Sequence, residues 1–409
     1  MKKDQVMKIK VALLFGGKST EHDISVISAL QAKNSIDRDK YEVYAVYMTR
    51  ENEMYYGEST GDIKAYRNID KLLSESEPVA LVRKGDRVKL VRTNAKLFAK
   101  SEITDIDVAF PVVHGTNTED GTVQGYCQLL DLPYVGCDVL SSAVGMDKYL
   151  TKIVLRDAGI PVLDCIKACA TEYNGNVESL IERIEAKLPY PMIVKPINCG
   201  SSIGISKAKD RDALRESLAD AFNYAENVIV EKAIVALREI NCSVVGDSLG
   251  AKASECEEPV STDEILSFND KYVGGAKGAK TGGAKGSAGM ASLKRKIPAP
   301  ISDETREYIR EMAVKSFLAL GCSGVSRIDF LMDSESGEIF FNEINTIPGS
   351  LSFYLWEPLG VKYKELLDEL ISLALKGHRR RAALTFSFKS SVLSNADFSG
   401  AKGAKGSKM

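Results

Sequence analysis

The chain has no run of about 18 consecutive apolar residues, the length a membrane-crossing helix needs, so no transmembrane segment is expected. Its eight cysteines (127, 137, 165, 169, 199, 242, 256 and 322) include no CxxC pair and no Cys/His spacing suited to zinc. That excludes a zinc module or a small disulfide scaffold and fits a reducing cytoplasm. Charge of one sign is missing too: 54 Lys+Arg against 56 Asp+Glu leave a net −2, with no global field to attract nucleic acid or an anionic membrane. The N-terminal MKKDQVMKIKVALLFGG sets lysines before an apolar stretch, but Val11 to Phe15 is too short for a signal-peptide core and no small-residue cleavage site follows. A first β-strand is expected instead. What the 409 residues do have, 44% hydrophobic and 27% charged, is enough for two or three domains, each with its own core.

The apolar pattern divides the chain. Met7–Phe15 becomes fully apolar as a parallel-sheet strand does, Gly16-Gly17 stops it, and Ser19 or Thr20 offers an N-cap for a helix over about Glu21–Lys33. Strands at Tyr41–Tyr47 and Asp107–Val113, with a helix at Thr122–Leu130, predict a parallel α/β domain over residues 1–145. A helix at Tyr149–Ala158, a hairpin of Met192–Lys195 with Ile203–Ser206, a helix at Asp210–Ala225 and a strand at Val228–Glu231 predict a small α+β unit over 146–235. Residues 236–376 alternate strands (Glu239–Val245, Val325–Met332, Glu338–Asn345) with helices (Glu304–Leu320, Val361–Leu375). Two basic Gly/Ala-rich segments stand apart, Lys271–Lys296 and a tail over 377–409, and both carry the hexapeptide GAKGAK, at 275–280 and 400–405. Neither can bury enough apolar surface to offset ordering entropy, so both are expected to be mobile.

Four segments carry chemistry. Gly16–Glu21 is a donor-rich turn at a helix N-terminus, suited to an anion, and matches neither GxGxxG nor GxxxxGK[ST]. Phe110–Gly125 puts His114, Glu119 and Asp120 just past a strand's C-terminal end, where open α/β sheets bind ligands. In Pro191–Gly204, Lys195 ends an apolar strand and faces Gly200-Ser201-Ser202, a pairing that suits a phosphate. In Ser326–Ser350, Arg327 and Asp329 share one strand face and Glu343 and Asn345 share another, so a hairpin turning at Asp333–Gly337 gathers hard oxygen ligands suited to Mg²⁺. Ile328, Phe330, Phe340 and Ile344 on its opposite face are expected to pack on a core.

With GGKSTEHDIS (16–25), HGTNTEDGTVQG (114–125), MDK (146–148), KPINCGSSIG (195–204), EK (231–232) and RIDF…NEINTIPG (327–349) in order, the chain resembles the D-alanine–D-alanine ligase family of the ATP-grasp superfamily from about Lys8 to Leu375. The resemblance implies α/β and α+β classes combined in a three-domain ATP-grasp fold, with an N-terminal parallel α/β domain and ATP between the other two. It implies that one D-alanine carboxylate attacks the γ-phosphate and that the amine of a second D-alanine captures the acyl phosphate. It also implies a cytoplasmic homodimer, dependent on ATP and two Mg²⁺ ions, with Mn²⁺ able to substitute.

By motif, the resemblance places Lys148 and Lys195 at the ATP phosphates, Lys271 at the γ-phosphate, Glu231 and Lys232 at the adenine, and Glu239 at the ribose. Asp329, Glu343 and Asn345 would hold Mg²⁺. Glu21 would take the first ammonium, His114 would lie near its carboxylate, and Ser201 and Tyr272 would complete a triad with Glu21. Arg327 and the Gly349 amide would stabilise the tetrahedral intermediate. The family's Ser-Leu pair for the second carboxylate aligns with Tyr354-Leu355, a departure, and Cys199 stands where many members have an acidic residue. A D-serine, D-lactate or other amine acceptor is the alternative, and a non-catalytic nucleotide-binding protein a distant third. The GAKGAK hexapeptides carry no aromatic residue on which a base could stack, so no specific nucleic-acid site is expected.

Overall fold

The computed structural model describes residues 7–95, 100–260 and 295–387. Its strands form three sheets. The first holds β1 (Ile9–Gly16), β2 (Tyr41–Met48), β3 (Met54–Tyr56), β4 (Glu77–Lys84), β5 (Arg87–Arg92), β6 (Glu102–Ile106) and β7 (Val108–Val112), in the order β6-β5-β4-β3-β2-β1-β7. β1 is central to its parallel part, with Val11 opposite Val43 of β2 and Val108 of β7. Covered on both faces, Val11–Phe15 is wholly buried, which is why its sequence is continuously apolar rather than alternating. The expected parallel character is confined to β2-β1-β7. The other four strands pair antiparallel, because β2 returns to β3 through the short Thr49–Glu53 turn and β4 meets β5 across the two residues Gly85-Asp86.

The first helix, His22–Ser35, starts one residue later than expected. The Ser19 hydroxyl does not cap its first turn but accepts the Glu21 amide at 3.1 Å, so the chain turns sharply and presents Glu21 at the helix start. The second sheet comprises β8 (Cys165–Cys169), β9 (Met192–Pro196), β10 (Ser206–Ala208) and β11 (Asn227–Lys232), in the order β10-β9-β11-β8. The expected hairpin exists, but its return strand begins only at Ser206. Residues 197–205 form a loop in which Ser201 and Ser202 are left-handed (φ 52° and 59°).

The third sheet has the order β14-β13-β12-β15-β16, from β12 (Leu237–Asp247), β13 (Gly250–Pro259), β14 (Arg295–Lys296), β15 (Gly324–Asp333) and β16 (Ile339–Asn345). Its apolar face meets the helix Asp303–Ala319 through Ile328, Phe330, Ile309 and Phe317. The expectation that Phe340 joins this core is corrected. The β15/β16 register slips between Asp329 and Phe330, pairing Phe330 with Phe341, so a bulge at Asn342 turns Phe341 inward. Leu155 of the helix Lys148–Asp157 lies in this same core, although its sequence position reads with the second unit. The last helix, Tyr363–Ala382, continues past Gly377, where the sequence pattern places the start of the tail.

Candidate active site

Where the second sheet faces the third, a cavity of about 420 Å³ is lined by Lys195, Glu231, Lys232 and Glu239 among apolar Ile193, Val235 and Leu331. The sequence-predicted ATP residues of these strands therefore share one cleft. Their side chains are not all equally available. Glu231 is buried and lies between two buried lysines, 2.6 Å from Lys152 Nζ and 2.7 Å from Lys195 Nζ. Burial alone would raise its pKa, but the two ammonium groups outweigh that and hold it at about 2. Lys195 also donates to Asn342 Oδ1 at 2.9 Å, so the β16 bulge aims a hydrogen-bond acceptor at this lysine. The Glu231 carboxylate is thus committed to the two lysines.

Lys152 and Asn342 escape a reading of the sequence. The signal for Lys152 is its place four residues after Lys148, on the same face of one helix. Asn342 carries no signal, because a strict two-residue alternation would turn it away from the Glu343 and Asn345 face.

A second, small pocket of about 50 Å³ joins all three units and is lined by Glu21, His114, Ser201, Arg327, Glu343 and Gly349. The Ser201 hydroxyl donates to the Glu21 carboxylate across 180 residues of sequence. That carboxylate sits in a slot between Gly115 and Gly200, where a Cβ on either residue would come within 2.8 and 2.6 Å of Glu21 Oε2. Both glycines are needed for backbone to approach this closely. Lys148 enters from the third side, donating to the Cys199 carbonyl at 2.7 Å and lying 3.3 Å from Glu343. At Cys199 it is the backbone carbonyl, not the thiol, that meets this lysine.

On β15 and β16 the expected face is present: Arg327 lies opposite Asn345 and Asp329 opposite Glu343. Arg327 grips Asp329 through two 2.7 Å bonds, from Nε and Nη2, while Asn345 Nδ2 donates to Asp329 at 3.1 Å. Burial opposes the charge on Arg327, yet Asp329 more than offsets it and keeps the guanidinium ionised. Two carboxylates and one amide on a single face are hard oxygen donors that fit Mg²⁺. No cluster of three His, Cys, Asp or Glu side chains suited to a metal exists among the described residues.

His114 has both ring nitrogens engaged by the protein, at 2.8 Å from the Ile347 carbonyl and 3.1 Å from Ser28 Oγ. Burial lowers its pKa to about 4, so the ring is neutral. Glu119 is also buried and accepts the Ile347 amide at 2.7 Å, so one residue of the third unit is held by two from the first. Tyr354 and Leu355 do not line the pocket. They form a small buried cluster with Ile297 and Phe353, and the Arg295 guanidinium stacks 3.9 Å over the Tyr354 ring while pairing with Glu257 at 2.6 Å. Lys271 and Tyr272 lie outside the described residues, as do both GAKGAK segments.

A mixed α/β unit followed by two antiparallel sheets that enclose a lysine-rich, nucleotide-sized cleft defines an ATP-grasp enzyme. The D-ala D-ala ligase N-terminus family matches residues 10–137, and the D-ala D-ala ligase C-terminus family matches residues 154–372. The chain is 40% identical to the D-alanine–D-alanine ligase of Acetivibrio thermocellus, over 90% of this chain and 96% of that one. It is 38% identical to that of Geobacillus thermodenitrificans, over 94% and 100%. Among solved structures it is similar to the D-alanine–D-alanine ligase of Coxiella burnetii (30% identity, TM-score 0.74, 92% and 96% covered). It is equally similar to the VanG D-Ala:D-Ser ligase of Enterococcus faecalis (31%, 0.74, 90% and 100%). The chain belongs to the D-alanine–D-alanine ligase family.

Proposed function

We propose that this protein joins two molecules of D-alanine at the expense of ATP, forming the D-alanyl-D-alanine used in peptidoglycan precursors. The observation that carries the reading is the convergence of Glu21, Ser201, Arg327 and Gly349 on one pocket, whose wall residue Glu343 follows directly on Asn342, the partner of Lys195 in the other cleft. Glu21, oriented by Ser201, attracts the ammonium of the first D-alanine and turns its carboxylate toward the γ-phosphate. Lys148 and Lys195 screen the phosphates, and attack by the carboxylate oxygen gives an acyl phosphate and ADP. The amine of the second D-alanine then attacks the acyl carbon, and phosphate leaves as the peptide bond forms. Arg327, whose Nη1 has no hydrogen bond among the described residues, and the Gly349 N–H stabilise the oxyanion of that second step. Asp329, Glu343 and Asn345 would hold Mg²⁺, which when bound neutralises charge on the transferring phosphoryl group.

The test is phosphate release with ATP, Mg²⁺ and D-alanine alone, compared with D-alanine plus D-serine, D-lactate or L-amino acids. Robust turnover with D-alanine alone is expected. Arg327→Ala should lower kcat by about 10²–10³-fold, the usual cost of removing an oxyanion donor. Turnover only with an added partner would overturn the D-alanine assignment for the second substrate.

A further inference from the structure

The turn that carries Gly349 is held in an unfavourable shape. Ser350, Leu351 and Ser352 are all left-handed, with φ of 53°, 51° and 49°, and none is glycine. Left-handed non-glycine residues are energetically unfavourable and persist only where the surroundings impose them. Here the surroundings belong to the first domain. Glu119 Oε1 accepts the Ile347 amide at 2.7 Å and the Thr346 hydroxyl at 3.2 Å, while its Oε2 accepts the Gly115 amide at 3.1 Å. On the far side of Gly349, Ser28 Oγ accepts the Ser350 amide at 3.0 Å, and the Ser350 hydroxyl donates to Gln31 Oε1 at 2.8 Å.

Proton positions in this network follow by elimination. The Ile347 carbonyl can only accept, so His114 Nδ1 carries the proton and donates to it. The neutral ring then leaves Nε2 as an acceptor, which takes the Ser28 hydroxyl proton. Ser28 is therefore free to accept the Ser350 amide with its oxygen, and each member fixes the next. Both backbone polar groups of Ile347 and the amide of Ser350 are gripped, and Pro348 between them has a restricted φ. Gly349 is bracketed on both sides by residues that the first domain holds.

We propose that Ser28, His114 and Glu119 are positioning residues that clasp the 346–352 turn and aim the Gly349 N–H at the developing oxyanion, so that this donor is aligned only when the first domain is docked on the third sheet. They act through the turn and not on substrate. The proposal rests on the ligase reading for its kinetic readout but not for its structural one.

The experiment compares Ser28→Ala, Glu119→Ala and Glu119→Gln with the parent, full-length and loaded with ATP and Mg²⁺, by steady-state kinetics and by amide hydrogen exchange of residues 346–352. Loss of alignment should lower kcat by about 100-fold in Glu119→Ala, the lower end of the cost of losing an oxyanion donor, and by about tenfold, a partial loss, in Ser28→Ala. The KM for ATP should stay within about twofold in both, since the network lies outside the nucleotide cleft. Glu119→Gln keeps an acceptor for the Ile347 amide and should recover most of the rate. Exchange at Ile347 and Ser350 should quicken at least about tenfold in the alanine variants, in proportion to the lost protection. Unchanged exchange, or a Ser28→Ala kcat within twofold of the parent, would overturn the clasp. Should the parent show no D-alanine-dependent turnover, the ligase reading fails and the exchange data alone decide the clasp.

Discussion

Two buried glutamates at opposite ends of the site have been driven to opposite charge states. Glu231, in the cleft between the second and third sheets, touches two ammonium groups and is held ionised, its pKa at about 2. Glu119, in the pocket that holds Glu21, is surrounded by amide and hydroxyl donors, and burial, reinforced by the charge of Glu21, pushes its pKa up to about 8. Desolvation is severe for both, so the neighbours decide the outcome: full cations outweigh it and neutral dipoles do not. The first cavity keeps two buried ammonium groups beside one carboxylate, while the second avoids placing another negative charge beside Glu21.

The largest effect that would break this comparison is Glu231→Gln, which leaves Lys152 and Lys195 buried without their counter-ion. A loss of about 3–5 kcal/mol is expected in urea unfolding at pH 7, as for other broken buried pairs. Because the folded pKa of Glu231 lies below its ordinary 4.5, its contribution is complete above that value and disappears as pH falls toward 2. The gap between parent and variant should therefore close in acid. Lys152→Met removes only one of the two cations and should cost about 2 kcal/mol, in the range for a hydrogen bond to a charged group. An equal or greater loss than in Glu231→Gln would mean that Lys152, not the carboxylate, anchors the cluster.

Glu119→Gln sharpens the other half. With its folded pKa raised to about 8, Glu119 keeps its proton in the native state while the unfolded chain releases it above about 4.5, so its presence lowers stability as pH climbs through that window. The glutamine variant should be the less stable at pH 5 by about 1 kcal/mol and should gain on the parent toward pH 8. Parallel stability curves for the two proteins would show Glu119 to be ionised throughout. The smallest effect belongs to an exposed pair. Arg215 lies 2.6 Å from Glu178 on the surface, where water and salt screen the pair, so Arg215→Ala should leave the urea midpoint almost unchanged and be insensitive to pH between 5 and 8.

Much of the molecule is legible in its residues alone. The periodicity of Val11–Phe15, the Gly16-Gly17 turn and the spacing of Arg327, Asp329, Glu343 and Asn345 each have a local cause, and each stands where that cause places it. The pairs Arg327/Asn345 and Asp329/Glu343 face one another because side chains alternate along paired strands. The bulge at Asn342 is not legible, since one extra residue in a strand leaves no mark in composition, and it brings Phe341 rather than Phe340 into the core. Tyr354 departs from the family pattern in a way any reading of the chain can see, yet its buried stack under Arg295 depends on β14, which is remote in sequence.

By itself, the amino-acid sequence determined the order of the motifs, the class of chemistry and the residues that could carry charge, because these depend on residue types at short spacings. Only the tertiary structure decided how those charges are used. Whether a glutamate is held at a pKa of about 2 or pushed up to about 8, and which groups a buried histidine hydrogen-bonds, depends on neighbours brought together from across the chain. Burial magnifies each such contact, and no local pattern encodes it.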